Sequence, residues 1–145
     1  MTIFEKYQRV KNLNSNLRLV GMDAMIATRE QFLELNRDQM TAGWNSDDSR
    51  IGRYQSDSYA RFKRLAFPQS GGWVNLRYTG SFQDKMRLVV NAREWKVTSD
   101  DGKAAKLTEK YGRNVFGLAP QQLQEYRSEY FYPALMERIN RQLNG

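Results

Sequence analysis

Residues 120–145 cannot fold as one straight helix against one core. At about 100° per residue, Leu123, Tyr126 and Tyr130 fall on one helical stripe, whereas Tyr132, Leu135, Ile139 and Leu143 fall on nearly the opposite one. The switch coincides with Pro133, which has no N–H and whose ring meets the carbonyl four residues back, so a kink or a break is expected at Tyr132–Pro133. Two arrangements satisfy the pattern. Either two short helices pack on one core, or one stripe faces the core and the other a neighbouring subunit. On the second arrangement Tyr126, Tyr130, Phe131 and Tyr132 are candidate interface residues, because aromatic side chains dominate interface energetics; on the first they are core.

The rest of the chain reads as short elements. Leu19, Met22, Ile26, Leu33 and Met40 share a helical stripe with Met25 and Phe32 beside it, which predicts one long helix from Leu17 to about Met40. A shorter helix from Ile3 to about Asn12 precedes it, divided from it by the cap-forming cluster Asn14-Ser15-Asn16. Gly43, the run from Asn45 to Ser49, and Gly52 predict a polar loop near 41–53, with Trp44 packed back onto the body. Tyr59, Phe62 and Ala66 recur at helical spacing up to Pro68, which would leave Arg61, Lys63 and Arg64 facing water. After the turn Gln69-Ser70-Gly71-Gly72, the segment Thr79-Gly80-Ser81 is placed to cap a short helix through about Lys85, with Asp84 at capping-box spacing from Ser81. Alternation of Met86, Leu88 and Val90, and then of Trp95 and Val97, predicts a β-hairpin turning near Ala92-Arg93. Ala104 to Tyr111 predicts a helix stopped by Gly112, and Pro120 suits the first position of the last helical segment. The expected fold is α+β: a long N-terminal helix and a C-terminal kinked helix or helix pair packed on a small antiparallel sheet, in a single domain over 1–145.

The 145 residues hold no cysteine and no histidine, which removes disulfides, thiol nucleophiles, Cys/His zinc sites and imidazole bases. No phosphate-loop, dinucleotide or serine-elbow motif is present. Asp47-Asp48 and Asp100-Asp101 are carboxylate pairs in polar turns without the alternating ligands and distal glutamate of a calcium loop. Ser81 has no histidine to activate it and reads as a helix cap. No catalytic residue, metal ligand or cofactor is therefore expected, and the chain is read as not an enzyme; a carboxylate-dependent enzyme would need a cleft holding an acid of raised pKa. The longest apolar run, Leu17 to Ala27, is interrupted by Arg18, Gly21 and Asp23, so no membrane partner is expected. Residues Met1 to Lys6 lack a basic and then apolar leader, so export by a signal peptide is not expected either.

The net charge of +7 is spread evenly along the chain. Its densest basic window carries Arg50, Arg53, Arg61, Lys63 and Arg64, interleaved with Tyr54, Tyr59 and Phe62. Cations beside flat rings suit phosphate contacts and base stacking, which makes a small basic nucleic-acid-binding module the alternative function. That reading predicts an affinity falling steeply with salt.

The second half of the chain carries a family resemblance. The segment Leu76-Arg77-Tyr78-Thr79-Gly80-Ser81-Phe82, a hairpin, then Leu107 to Gly112, then Val115-Phe116-Gly117-Leu118-Ala119-Pro120 and a closing helix resembles the virion-morphogenesis or tail-completion proteins of tailed bacteriophages. That family has a Leu-x-x-Thr-Gly-x-Leu segment before its sheet, matched here by Leu76, Thr79 and Gly80, with Phe82 in place of the last Leu. Phe116-Gly117-Leu118 stands where the family often has Arg-Pro-Phe. The resemblance covers about residues 70–145. It implies a structural component of the head-tail neck or tail-completion complex, found in the virion and, during assembly, in the host cytoplasm. Its partners would be copies of itself in a ring and the portal, adaptor or tail tube, in proximity to DNA. Physically, Thr79 and Gly80 would position the short helix before the hairpin, and Gly112 and Gly117 would permit the turns that return the last helix to the sheet.

Overall fold

A threonine, rather than the Asn14-Ser15-Asn16 cluster, interrupts the first helical stretch. In the computed structural model, which describes residues 1–77, 80–91 and 93–145, α1 runs unbroken over Ile3–Ala27 and α2 over Arg29–Thr41. Thr2 starts α1 with a capping box: the Glu5 N–H donates to its hydroxyl (3.0 Å) and its own N–H donates to the Glu5 carboxylate (2.8 Å). Asn14, Ser15 and Asn16 lie in mid-helix, where the Ser15 hydroxyl donates to the Lys11 carbonyl (3.1 Å). Their propensity cost, about 0.5 kcal/mol each, does not stop a helix that is already propagating. At Thr28 the hydroxyl donates to the Ala24 carbonyl (2.7 Å), and the residue leaves helical geometry at φ −113°, ψ 12°. The Tyr126 hydroxyl lies 2.7 Å from that same hydroxyl, so the break is fixed from across the core.

The break also corrects the apolar stripe. Leu19 and Ile26 are 56% and 40% exposed, while Val20 and Ala24 are buried in their stead, with the flanking Met25 buried as expected. Beyond Thr28 the expected Leu33 and Met40 are buried, joined by Phe32. A stripe extrapolated through a change of helix axis loses its phase.

At the other end Pro133 neither breaks the helix nor separates two helices. α6 (Pro120–Tyr126) and α7 (Tyr132–Asn144) are joined by a π-helical turn over Arg127–Phe131, and Tyr132 donates its N–H to the Arg127 carbonyl five residues back. The wider turn makes room for the pyrrolidine ring, and its extra residue rotates α7 by about 100° relative to a continuous α-helix. The two apolar stripes are thereby turned toward two helices, α6 onto α2 and α7 antiparallel to α1. Arg9 donates to the Leu143 carbonyl (3.2 Å) at the far end of that second pairing. Leu135, Ile139 and Leu143, one of the stripes considered for a neighbouring subunit, are half-buried.

Along the chain between α2 and α6 come α3 (Asp57–Ala66), α4 (Ser81–Asp84), the antiparallel strands β1 (Met86–Val90) and β2 (Trp95–Ser99), and α5 (Ala104–Tyr111). Met86 pairs with Ser99 and Val90 with Trp95, and β1 packs on α1 and α2. Asn91 organises the hairpin end by accepting the Arg93 and Glu94 N–H groups, both at 2.8 Å; Ala92, expected at the turn, lies outside the described residues. The fold is α+β. The polar loop is pinned by backbone bonds from Asn45 to Ser49 (2.8 Å), Ser46 to Asn114 (2.7 Å) and Ile51 to Gly43 (3.0 Å). Trp44 is 36% exposed and carries the Arg50 guanidinium on its ring instead of packing into the body.

Candidate functional site

A cavity of about 540 Å³ opens between α3, residues 74–77 and 80–82, and α5. Its first wall overturns the expected orientation of α3. Lys63 is 1% exposed, while Tyr59, Phe62 and Leu65 are 39%, 49% and 79% exposed. Ser56 caps the helix by accepting the Tyr59 N–H (3.3 Å), and the face that meets the body is the one bearing Lys63. Its ammonium donates to the Arg77 carbonyl and lies 4.6 Å from the Phe67 ring centre and 5.9 Å from that of Tyr54. Burial, and then the neighbouring Arg77 charge, bring this ammonium down to about 8.

The second wall holds the strained part of the chain. Leu76 sits at φ 53°, where a side chain other than glycine rarely settles, and Gly80 at φ 87° precedes α4. A Cβ on Gly80 would stand 3.2 Å from the Asp84 carboxylate. Thr79, expected to cap α4, lies outside the described residues; Gly80 occupies the cap position without a side-chain bond, and the Ser81 hydroxyl turns to Asp101 instead. Arg77 donates from Nη1 to Gln83 Oε1 (3.1 Å), and the fully buried Gln83 in turn donates to the Asn75 carbonyl (3.1 Å) and accepts from Thr41 (3.1 Å). This network ties the wall to α2.

The third wall is α5, with Leu107, Lys110 and Tyr111. Asp101 precedes it. The Ser81 hydroxyl and the Lys103 N–H (2.7 Å) donate to the Asp101 carboxylate and hold it below the usual carboxylate range. Opposite, burial pushes the Tyr54 phenol up to about 12, and its hydroxyl shares Asn75 with the Arg77 N–H. Asp38, raised by partial loss of water around its carboxylate and then by Glu34, lies on the solvent side of α2 and does not line this cavity.

The other expected residues are dispersed. Tyr126 is 1% exposed and packs edge-on against Phe32 (5.1 Å), so it is a core residue and not an anchor on the free surface. Tyr130 and Phe131 pack partly buried against the core, and Tyr132 alone of the four is exposed, at 50%. Leu76 and Gly80 line the cavity. Gly112 ends α5 at φ 88°, ψ 166°, and Gly117 lies in the turn before α6 at φ 97°. Of the basic window, Arg50, Arg53 and Arg64 gather around Gly72 and Trp73. Arg50 lies over Trp44 (3.6 Å) and toward Trp73 (5.2 Å), Arg53 lies over the other ring (4.2 Å from Trp73), and Arg64 covers Gly72. Arg61 is exposed and Lys63 belongs to the cavity.

Sequence reasoning missed Arg77, Tyr111 and Lys103 as parts of one site, because they come from separate elements. It also missed a pair of amides on α2. Asn36 donates to the Val115 carbonyl (3.2 Å) and accepts the Gly117 N–H (2.9 Å); Gln39 donates to the Gly117 carbonyl (3.0 Å) and accepts the Ala119 N–H (2.7 Å). The legible signal was two amides three residues apart on the apolar side of a helix. No family model, curated protein or solved structure matches the chain.

Proposed function

We propose that this protein is a structural assembly component of a tailed-bacteriophage virion, joining the ring structures of the head-tail neck or tail-completion complex. The reading rests on the resemblance of residues 70–145, and the observation that carries it physically is the surface of α1. Ile3, Phe4, Tyr7 and Val10 are 90%, 70%, 60% and 49% exposed on a helix whose later turns pack against α7. Large apolar side chains gathered on one projecting segment are stabilised when a partner covers them. The surface suited to association is therefore on α1, in place of the C-terminal stripe, which α1 itself half covers. The turn through Gly117, clamped to α2 by Asn36 and Gln39, supplies a rigid base for the helices that carry this surface.

Quantitative mass spectrometry of purified virions tests the proposal by comparing this protein's copy number with that of the portal. A fixed ratio of about one ring per particle is expected. Its absence from the particle would overturn the reading.

A further inference from the structure

Lys63 carries a charge without a counter-charge. It is 1% exposed, its ammonium reaches one oxygen among the described residues, the Arg77 carbonyl, and no carboxylate of those residues lies within ion-pair distance. An ammonium has three N–H donors, and a cation removed from water is ordinarily paired with an anion. Arg77 adds a second positive charge beside it and donates from Nη1 to the neutral Gln83 amide (3.1 Å). Lys103 and Lys110 line the same cavity, whose one acid among the described residues, Asp101, is engaged by the Ser81 hydroxyl and the Lys103 N–H. Gln55, Ser56 and Ser81 add neutral polar groups, and the rest of the lining is mostly apolar or aromatic, chiefly Leu76, Phe82, Leu107 and Tyr111.

We propose that this cavity is a binding site for a small amphiphilic organic anion. Its apolar body would lie among Leu76, Phe82, Leu107 and Tyr111, and its carboxylate, sulfonate or phosphate group would face Lys63 and Arg77. The volume of about 540 Å³ is that of small-molecule sites, which combine mostly apolar walls with a few convergent polar groups. The anion supplies what the protein withholds, an acceptor for the free N–H groups and a charge of opposite sign in a region of reduced dielectric. The left-handed Leu76 in the wall fits this role, since backbone strain is retained where the surrounding structure holds a ligand site in shape. The site is separate from the association surface on α1, and neither reading depends on the other.

Two fluorescent probes that share a ring system separate charge from apolar burial: 8-anilinonaphthalene-1-sulfonate and the uncharged N-phenyl-1-naphthylamine, each titrated into the full chain. The sulfonate is expected to bind one saturable site, and Lys63→Met to weaken it by about tenfold or more while changing the neutral probe less than about twofold. The exposed double variant Lys103→Ala/Lys110→Ala is expected to weaken the sulfonate in the same sense, and it carries the test if Lys63→Met does not fold. Equal affinity for the two probes, or sulfonate binding unchanged in the variant tested, would overturn the proposal.

Discussion

Lys63 shows how much one buried charge governs. Its ammonium titrates near 8 in the folded chain against an ordinary 10.5, because burial disfavours the charged form. Between those values the unfolded chain holds a proton that the folded chain has released, so the contribution of this residue to stability rises with pH across that window. Below it both states are protonated and the full cost of burying the charge is present. Lys63→Met keeps the stem and drops the charge, and is expected to exceed the parent most at pH 7, by on the order of 1–2 kcal/mol because the lost bond to the Arg77 carbonyl and solvent screening offset part of the gain, the difference shrinking toward zero by pH 10.5. Urea unfolding of both proteins at several pH values checks this, and a pH-independent difference would contradict it. Gly112 is governed by backbone alone. At φ 88°, ψ 166° it occupies a region that is essentially glycine's, and an added Cβ would meet nothing within 4 Å. Gly112→Ala is expected to cost about 1–3 kcal/mol by denaturant unfolding, through conformation and not through a clash.

At the scale of elements, side-chain hydrogen bonds set junctions that periodicity alone leaves open. Asn36 and Gln39 together satisfy four backbone groups of the Val115–Ala119 turn and so dock the start of α6 on α2. Asn36→Ala orphans one N–H and one carbonyl in the interior and is expected to cost about 2–4 kcal/mol, seen as a lowered unfolding midpoint, with Asn36→Asp rescuing at most half of it because it restores only the acceptor. Gly112 and Pro120 marked the end of α5 and the start of α6 correctly from sequence, since both act through their own backbone. The π-helical turn at Arg127–Phe131 was not legible. Proline announces a disturbance of the ladder, but whether the helix breaks or widens depends on what its next turn packs against, here α1. Likewise the Asn14-Ser15-Asn16 cluster has the composition of a boundary, yet Thr28 makes it, because its hydroxyl meets the Tyr126 hydroxyl across the core while the cluster lies in mid-helix.

For the whole molecule, the pairing of α1 with α7 leaves the first turns of α1 with exposed apolar side chains, the surface on which the proposed assembly role rests. Phe4→Asp and Tyr7→Asp, at positions 70% and 60% exposed, are expected to shift monomer stability by no more than about 0.5 kcal/mol while removing the protein from assembled particles. Unfolding curves and quantitation of the variants in purified virions check the two halves of that expectation; a variant incorporated normally would count against α1 as the contact. The α+β class, the hairpin, α5 and the apolar character of the C-terminal segment were all determined by the sequence itself, because each depends on local period, turn chemistry or the conformational limits of glycine and proline. Which face of α3 is buried, where the first helix breaks, and that Lys63, Arg77, Lys103 and Lys110 share one cavity were decided by tertiary structure alone. Those features depend on contacts between residues far apart in the chain, and a buried lysine has the same spacing as a solvated one until the element that covers it is in place.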